Sequence, residues 1–380
     1  MHYASLFAFY TVYFVMIGVS TFVSKYYGEL GMSMGQIGML TSIPTLMSFV
    51  FMPLIGAWTD RISKKRYLLS ALVLLMAMMC LIISRFRAFA PLLALVSIHH
   101  VFSSSNRPLM DSISLEYTRT INRPFGPIRL MGTVGYQLGA LLAGWLLKDS
   151  LGGLYPLMAA SLLVSFFISF AMPNVEGHQY ARQKVPLKHL FADPHVRALF
   201  IIVYLASITT QFYISFYAKY MGDLGFGNQE ISLITLFSVV AELPFLVFAD
   251  RLFPKRSVWQ WLLLGYAANG VRWLGLAFAR SVPLIIIFQI PGVTVMGCFE
   301  FFTALYLSRR VSKEQAGAAQ SMLSLTIFGA GNITGVLLGG WICEFVPIST
   351  VFACNGIFLL LGAVALVPIV KKLTAEERCS

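Results

Sequence analysis

Apolar runs of about twenty residues, each ended by a short polar stretch, recur along the chain. A helix of that length spans a bilayer, because each residue rises about 1.5 Å and the hydrocarbon layer is about 30 Å thick. The pattern predicts helices near 4–27, 35–58, 67–86, 90–117, 127–148 and 153–172. A polar stretch runs from Asn174 to Pro194, and six more helices are predicted near 197–220, 230–250, 258–279, 282–307, 315–342 and 349–370. The expectation is an all-α polytopic membrane protein with twelve transmembrane helices in two pseudo-symmetric six-helix bundles. Its parts would be an N-terminal bundle (1–173), a cytoplasmic linker (174–196) and a C-terminal bundle (197–380). Short connections within each set of six favour antiparallel neighbours. The first run lacks the basic start and small-residue cleavage site of a secretory leader, so it is expected to stay as a helix.

Composition agrees with the pattern. Of 380 residues, 58% are hydrophobic and 12% charged, against about 25% charged in ordinary soluble domains. A net charge of +12 would suit nucleic acid, but no basic helix or RNA-type aromatic motif accompanies it, and nucleic acid is excluded as a partner. The positive charge records orientation instead. With the N-terminus inside, the inner segments hold most of the lysine and arginine, such as Lys64, Lys65, Arg66, Arg309, Arg310, Lys371 and Lys372. The outer face keeps Lys25, Arg85, Arg87, Lys148, Lys219 and Arg280, so both termini are expected in the cytoplasm. Lys25 and Lys219 read as snorkelling helix ends. The five cysteines show no CxxC or Cys/His spacing, which implies buried thiols and no metal or cofactor site.

The halves echo each other. Lys25-Tyr-Tyr-Gly-Glu-Leu-Gly31 follows span one, and Lys219-Tyr-Met-Gly-Asp-Leu-Gly225 follows span seven. Asp60-Arg-Ile-Ser-Lys-Lys-Arg66 follows span two, and Asp250-Arg-Leu-Phe-Pro-Lys-Arg256 follows span eight. Six helices duplicated in the same orientation, with a binding site where the repeats meet, are a transporter signature.

Charged groups inside the spans are the candidate chemistry. Arg129 stands just inside span five, where a charge costs about 3 kcal/mol or more unless it faces a wet cavity or a partner. Thr133 and Tyr136 share its helix face at i+4 and i+7. A carboxylate buried in a span can take up and release a proton as its surroundings change. Three candidates for proton coupling follow: Asp111 near Pro108 and Arg107, Glu242 just before Pro244, and Glu300 among Phe299, Phe301 and Phe302. Arg272 is a candidate partner for Glu300. Gln211, near Tyr213 and Tyr217, could donate to a substrate, whereas Tyr10 and Tyr13 read equally well as packing. His99 and His100 face different directions on a helix and cannot act as one pair.

Gly56-Ala-Trp-Thr-Asp60-Arg61-Ile-Ser-Lys64-Lys65-Arg66 resembles the loop 2–3 signature of the major facilitator superfamily, with a degenerate copy at Asp250-Arg251. Gly56, Asp60, Arg61, Asp250 and Arg251 would then form a cytoplasmic gate latched by charge-assisted bonds. Within the superfamily the chain resembles the compact proton-coupled permeases for phenylpropionate, nucleosides and oligosaccharides. The likeness rests on Pro108-Leu-Met-Asp111, on Phe125-Gly126-x-x-Arg129-x-x-Gly132-Thr133, on Gly270-Val-Arg272-Trp273 and on Gly297-Cys-Phe-Glu300. The resemblance implies alternating access by rocking two bundles, with Arg129 on a polar or anionic part of the substrate. It implies a ring-stacking role for Tyr136 and acidic positions at Asp111, Glu242 and Glu300. Ile214 and Val239 stand where nucleoside-type members carry polar groups.

No Walker loop or HExxH is present, so the expectation is not an enzyme. It is a bacterial-type inner-membrane proton symporter, acting as a monomer, that imports a small polar or anionic solute. That solute would belong to the aromatic-acid, nucleoside or sugar class. The alternative is a proton-coupled efflux antiporter of drugs or metabolites. Span five, with Gly132, Gly135, Gly139 and Gly144 but no proline among them, matches the antiporter motif poorly.

Overall fold

The computed structural model describes residues 2–59, 64–174, 191–248, 251 and 253–379. Among these no strand occurs, and the helices follow the predicted order. They are α1 (His2–Glu29), α2 (Met34–Thr59), α3 (Lys65–Ile83), α4 (Phe89–Ser103 and Asn106–Thr120), α5 (Gly126–Leu146) and α6 (Leu151–Ser169). After them come α7 (Pro194–Asp223), α8 (Asn228–Val247), α9 (Val258–Phe278), α10 (Val282–Arg310), α11 (313–342) and α12 (Ile348–Cys379). Eight of the twelve are long and apolar enough to cross a membrane on length and composition alone. The four that fall short, α4, α5, α8 and α9, carry Asp111, Arg129, Glu242 and Arg272 inside their length.

Besides short 3-10 turns within α1 (Ser20–Phe22) and at the start of α6 (Leu151–Gly153), three helices depart from a plain α-helical reading. In α4 the run predicted as one helix breaks at Ser104 and Ser105. Ser103 and Ser104 turn their hydroxyls back onto the carbonyls of His100 (2.9 Å) and Val101 (2.7 Å), competing with the helical ladder just before Pro108. In α10 a 3-10 turn at Ile290–Gly292, containing Pro291, leads into a π-helix at Val295–Phe301. In α11 two π segments, Leu325–Ala330 and Ile333–Leu338, flank Gly331 and Asn332. π-turns are rare and cluster at functional sites.

Contacts sort the chain into two compact units, 1–181 with 218–233, and 182–217 with 234–380. In the first, α1 lies directly on α5. A Cβ added to Gly135 or Gly139 would stand 2.1 Å from the backbone oxygen of Thr11 or Val15. Only glycine lets the two backbones approach so closely. The same device appears in the second unit, where a Cβ on Gly335 of α11 would stand 2.1 Å from the Ile208 oxygen of α7. Polar side chains complete the packing: Ser70 meets Ser169 at 2.6 Å, and the hydroxyls of Tyr27 and Tyr155 meet at 2.6 Å.

The duplicated Gly-Glu-Leu-Gly and Gly-Asp-Leu-Gly motifs fold alike. Gly31 and Gly225 have φ of +80° and +90°, a region in which a side chain is strained. Gly31 and Met32 donate to the carbonyls of Gly28 and Tyr27, while Gly225 and Phe226 donate to those of Gly222 and Met221. Both helices thus end in a Schellman cap.

Candidate functional site

The close approach of α1 to α5 builds the site in the first unit. Arg129, in the first turn of α5, is half-buried, and its guanidinium lies 5.2 Å from the centre of the Phe14 ring of α1. A cation over an aromatic face gains about 0.5–2 kcal/mol, increasing as water is removed. Gly132 makes this possible, since a Cβ there would meet the guanidinium at 2.9 Å and the Phe14 ring at 3.1 Å. Phe14 stacks on Tyr10 at 6.3 Å, and the Tyr10 hydroxyl donates to Asp111 Oδ1 of α4 at 2.5 Å. Three helices therefore bring a guanidinium, two aromatic rings and a carboxylate into one cluster. Thr133 and Tyr136 lie further along α5, both half-buried, and the Tyr136 hydroxyl stands 3.0 Å from Thr21 Oγ1. Tyr10, which sequence reasoning left open between packing and function, is the residue that holds Asp111.

The second unit gathers another set. Gln211 of α7 is buried, its Oε1 accepts from Asn332 of α11 at 3.5 Å, and its amide nitrogen has no hydrogen-bond partner among the described residues. Asn332 sits between the two π segments of α11. Glu300 is half-buried on the π-helix of α10, between the buried Phe299 and the exposed Phe301. Glu242 is half-buried in α8, two residues before Pro244. Arg272 does not serve Glu300. Its Nε donates to Gln289 Oε1 at 2.9 Å, its Nη2 donates to the same oxygen, and its guanidinium stacks on Tyr213 and Trp273. Gln289 gave no sequence signal because it is a neutral residue inside the apolar run Val282–Gln289.

Of the expected gate, Gly56 falls within α2, while Asp60, Arg61 and Asp250 lie outside the described residues. Arg251 is exposed, with its guanidinium 5.9 Å from the Phe248 ring. His99 is buried with Nε2 3.5 Å from the Cys80 sulfur, a packing contact.

A family model described as the MFS_1-like family matches residues 3–354. The chain belongs to that family of transporters. Among curated relatives, this MFS_1-like chain is 27% identical to a maltose permease of Geobacillus stearothermophilus over 374 residues, covering 96% of this chain and 93% of the relative. It is 24% identical to a probable 3-phenylpropionic acid transporter of Escherichia coli (strain K12) over 369 residues, covering 94% and 93%. Its fold matches the crystal structure of the nucleoside transporter NupG with a TM-score of 0.86 at 16% identity, covering 97% of this chain and 98% of that one. These relatives are transporters, not enzymes, and the protein is a multi-pass membrane transporter of the same superfamily.

Proposed function

We propose that this transporter imports a small polar or anionic organic solute, of the sugar, nucleoside or aromatic-acid class, together with protons. The observation that carries the reading is the cluster of Arg129, Phe14, Tyr10 and Asp111, in which a permanent cation and aromatic surface adjoin a proton-accepting carboxylate. Arg129 grips the oxygen-rich end of the solute, Thr133 and Gln211 hydrogen-bond to it, and Tyr136 covers its apolar face. Asp111, Glu242 and Glu300 carry the proton, because a neutralised group tolerates an occluded site better than a charged one.

Alternating access proceeds by rocking of the halves 1–173 and 197–380 about the linker 174–196. Gly56, Asp60, Arg61, Asp250 and Arg251 gate the cytoplasmic side. The protein works as a monomer in a bacterial inner membrane with both termini in the cytoplasm. Purified protein in liposomes tests the reading: substrates drawn from the three classes are offered with an inward proton gradient. Gradient-driven accumulation with matching proton influx supports symport, whereas expulsion of solute against proton entry would make it an antiporter.

A further inference from the structure

Arg272 carries a charge that nothing described around it neutralises. The side chain is buried, 5% exposed, in the middle of α9. Its surroundings within the second unit are Gln289, Tyr213, Trp273 and Gly292, all neutral. The guanidinium has five N–H donors. Two of its nitrogens, Nε and Nη2, converge on the single oxygen of Gln289, and no described carboxylate pairs with it. The rings of Tyr213 (4.3 Å) and Trp273 (4.7 Å) supply only partial compensation.

The neighbouring groups are fixed in place. The Gln289 amide donates to the Tyr213 hydroxyl at 2.9 Å, which turns its oxygen toward the arginine. The Trp273 indole is anchored by its bond to Thr209 Oγ1 at 3.2 Å. Gly292 is required for the guanidinium to sit here, since a Cβ would stand 2.6 Å from Cζ and Nη1. Tyr217, packed on Tyr213 at 4.8 Å, is buried, and among the described residues no acceptor stands within hydrogen-bond geometry of its hydroxyl. An arginine with unused donors and a phenolic donor thus lie against the same Tyr213 ring, and the arginine is best satisfied by an acceptor that carries negative charge.

We propose that Arg272 and Tyr217, positioned by Gln289, form a carboxylate-binding subsite within the second unit. A carboxylate is planar, accepts from two donors at once and cancels the guanidinium charge. The subsite deepens the transport reading, on which it rests, by assigning the solute a carboxylate group.

Sodium formate, the smallest carboxylate, tests the subsite on the full-length protein, with formamide as the neutral isostere and ionic strength held by methanesulfonate. Melting temperature and tryptophan fluorescence are followed. Formate is expected to raise the melting temperature saturably, and formamide is not. Gln289→Glu places an internal carboxylate against Arg272 and is expected to weaken formate binding about tenfold or more. Tyr217→Phe removes one donor and is expected to weaken it by up to about tenfold, which decides the matter should Gln289→Glu fail to fold. Absence of a saturable formate response overturns the subsite. So does a response left intact by both variants; if that response is lost in Arg129→Ala, the transport site at Arg129 stands and the Arg272 subsite alone falls.

Discussion

The ammonium of Lys25 lies 2.6 Å from the side-chain oxygen of Asn228, and the Asn228 amide donates onward to the Leu147 carbonyl at 2.6 Å. Neither Lys25 nor its repeat counterpart Lys219 simply snorkels. The stem of Lys25 crosses Gly222 and that of Lys219 crosses Gly28, each lysine lying over the glycine of the other's motif. Lys219 then pairs with Asp223. A single asparagine therefore links the ends of α1, α5 and α8. Lys25→Ala and Asn228→Ala should be non-additive, with a coupling energy of about 0.5–3 kcal/mol in a double-mutant cycle of detergent unfolding. Additivity within about 0.5 kcal/mol would contradict the link.

Gly139 holds α5 against the Val15 backbone of α1, next to Phe14. Gly139→Ala forces a methyl to within 2.1 Å of the Val15 oxygen, so α1 and α5 must part. The expected loss of stability is about 1–3 kcal/mol, with weakened substrate binding. Gly126→Ala, on the same helix with open space around it, should be close to neutral. Equal effects of the two substitutions in thermal unfolding would sink the close-packing account.

At the start of α7, Asp193 caps the helix by accepting from the His195 backbone N–H at 2.8 Å, with Pro194 following it. Arg310 reaches the other carboxyl oxygen at 2.8 Å. Burial alone would raise the Asp193 carboxyl, but the Arg310 and His195 bonds outweigh it and hold the group below the usual carboxylate range. Because the folded value is depressed, the stabilisation is complete above the unfolded value of about 3.9 and fades as pH falls through the folded one. The gap in melting temperature between wild type and Arg310→Ala should therefore narrow on acidification below about pH 4. A gap independent of pH would rule this out.

The sequence exposed the spans because hydropathy counts apolar residues, and the paired Lys-Tyr and Asp-Arg motifs exposed the duplication. Arg129 stood out as a charge where charge is costly. What stayed hidden has a common cause. Tyr10 reads as one more aromatic in an apolar run until α4 delivers Asp111 to its hydroxyl. Gln289 is neutral, so a hydropathy scan passes over it, although it holds Arg272. The π-turns at Glu300 and around Asn332 arise from hydrogen-bond register within a span, to which apolar periodicity is nearly blind.

Glu300 sits on one of those π-turns, where the backbone register is already displaced. Glu300→Gln keeps the shape and removes the titration. Counterflow exchange of substrate should persist while accumulation driven by a proton gradient fails, both measured in liposomes. Undiminished accumulation would remove Glu300 from the coupling path.

The central role given to Arg129 is tested most directly by ligand binding to wild type and Arg129→Ala side by side. A thermal-shift screen of purified protein against aromatic acids, nucleosides and sugars identifies a ligand, and titration then gives its affinity. Loss of a charge-assisted contact is worth about 1.5–3 kcal/mol, so a folded Arg129→Ala protein should bind that ligand about tenfold to a hundredfold more weakly, or not at all. A folded variant with undiminished affinity and uptake would show that the guanidinium over Phe14 is not where substrate is held.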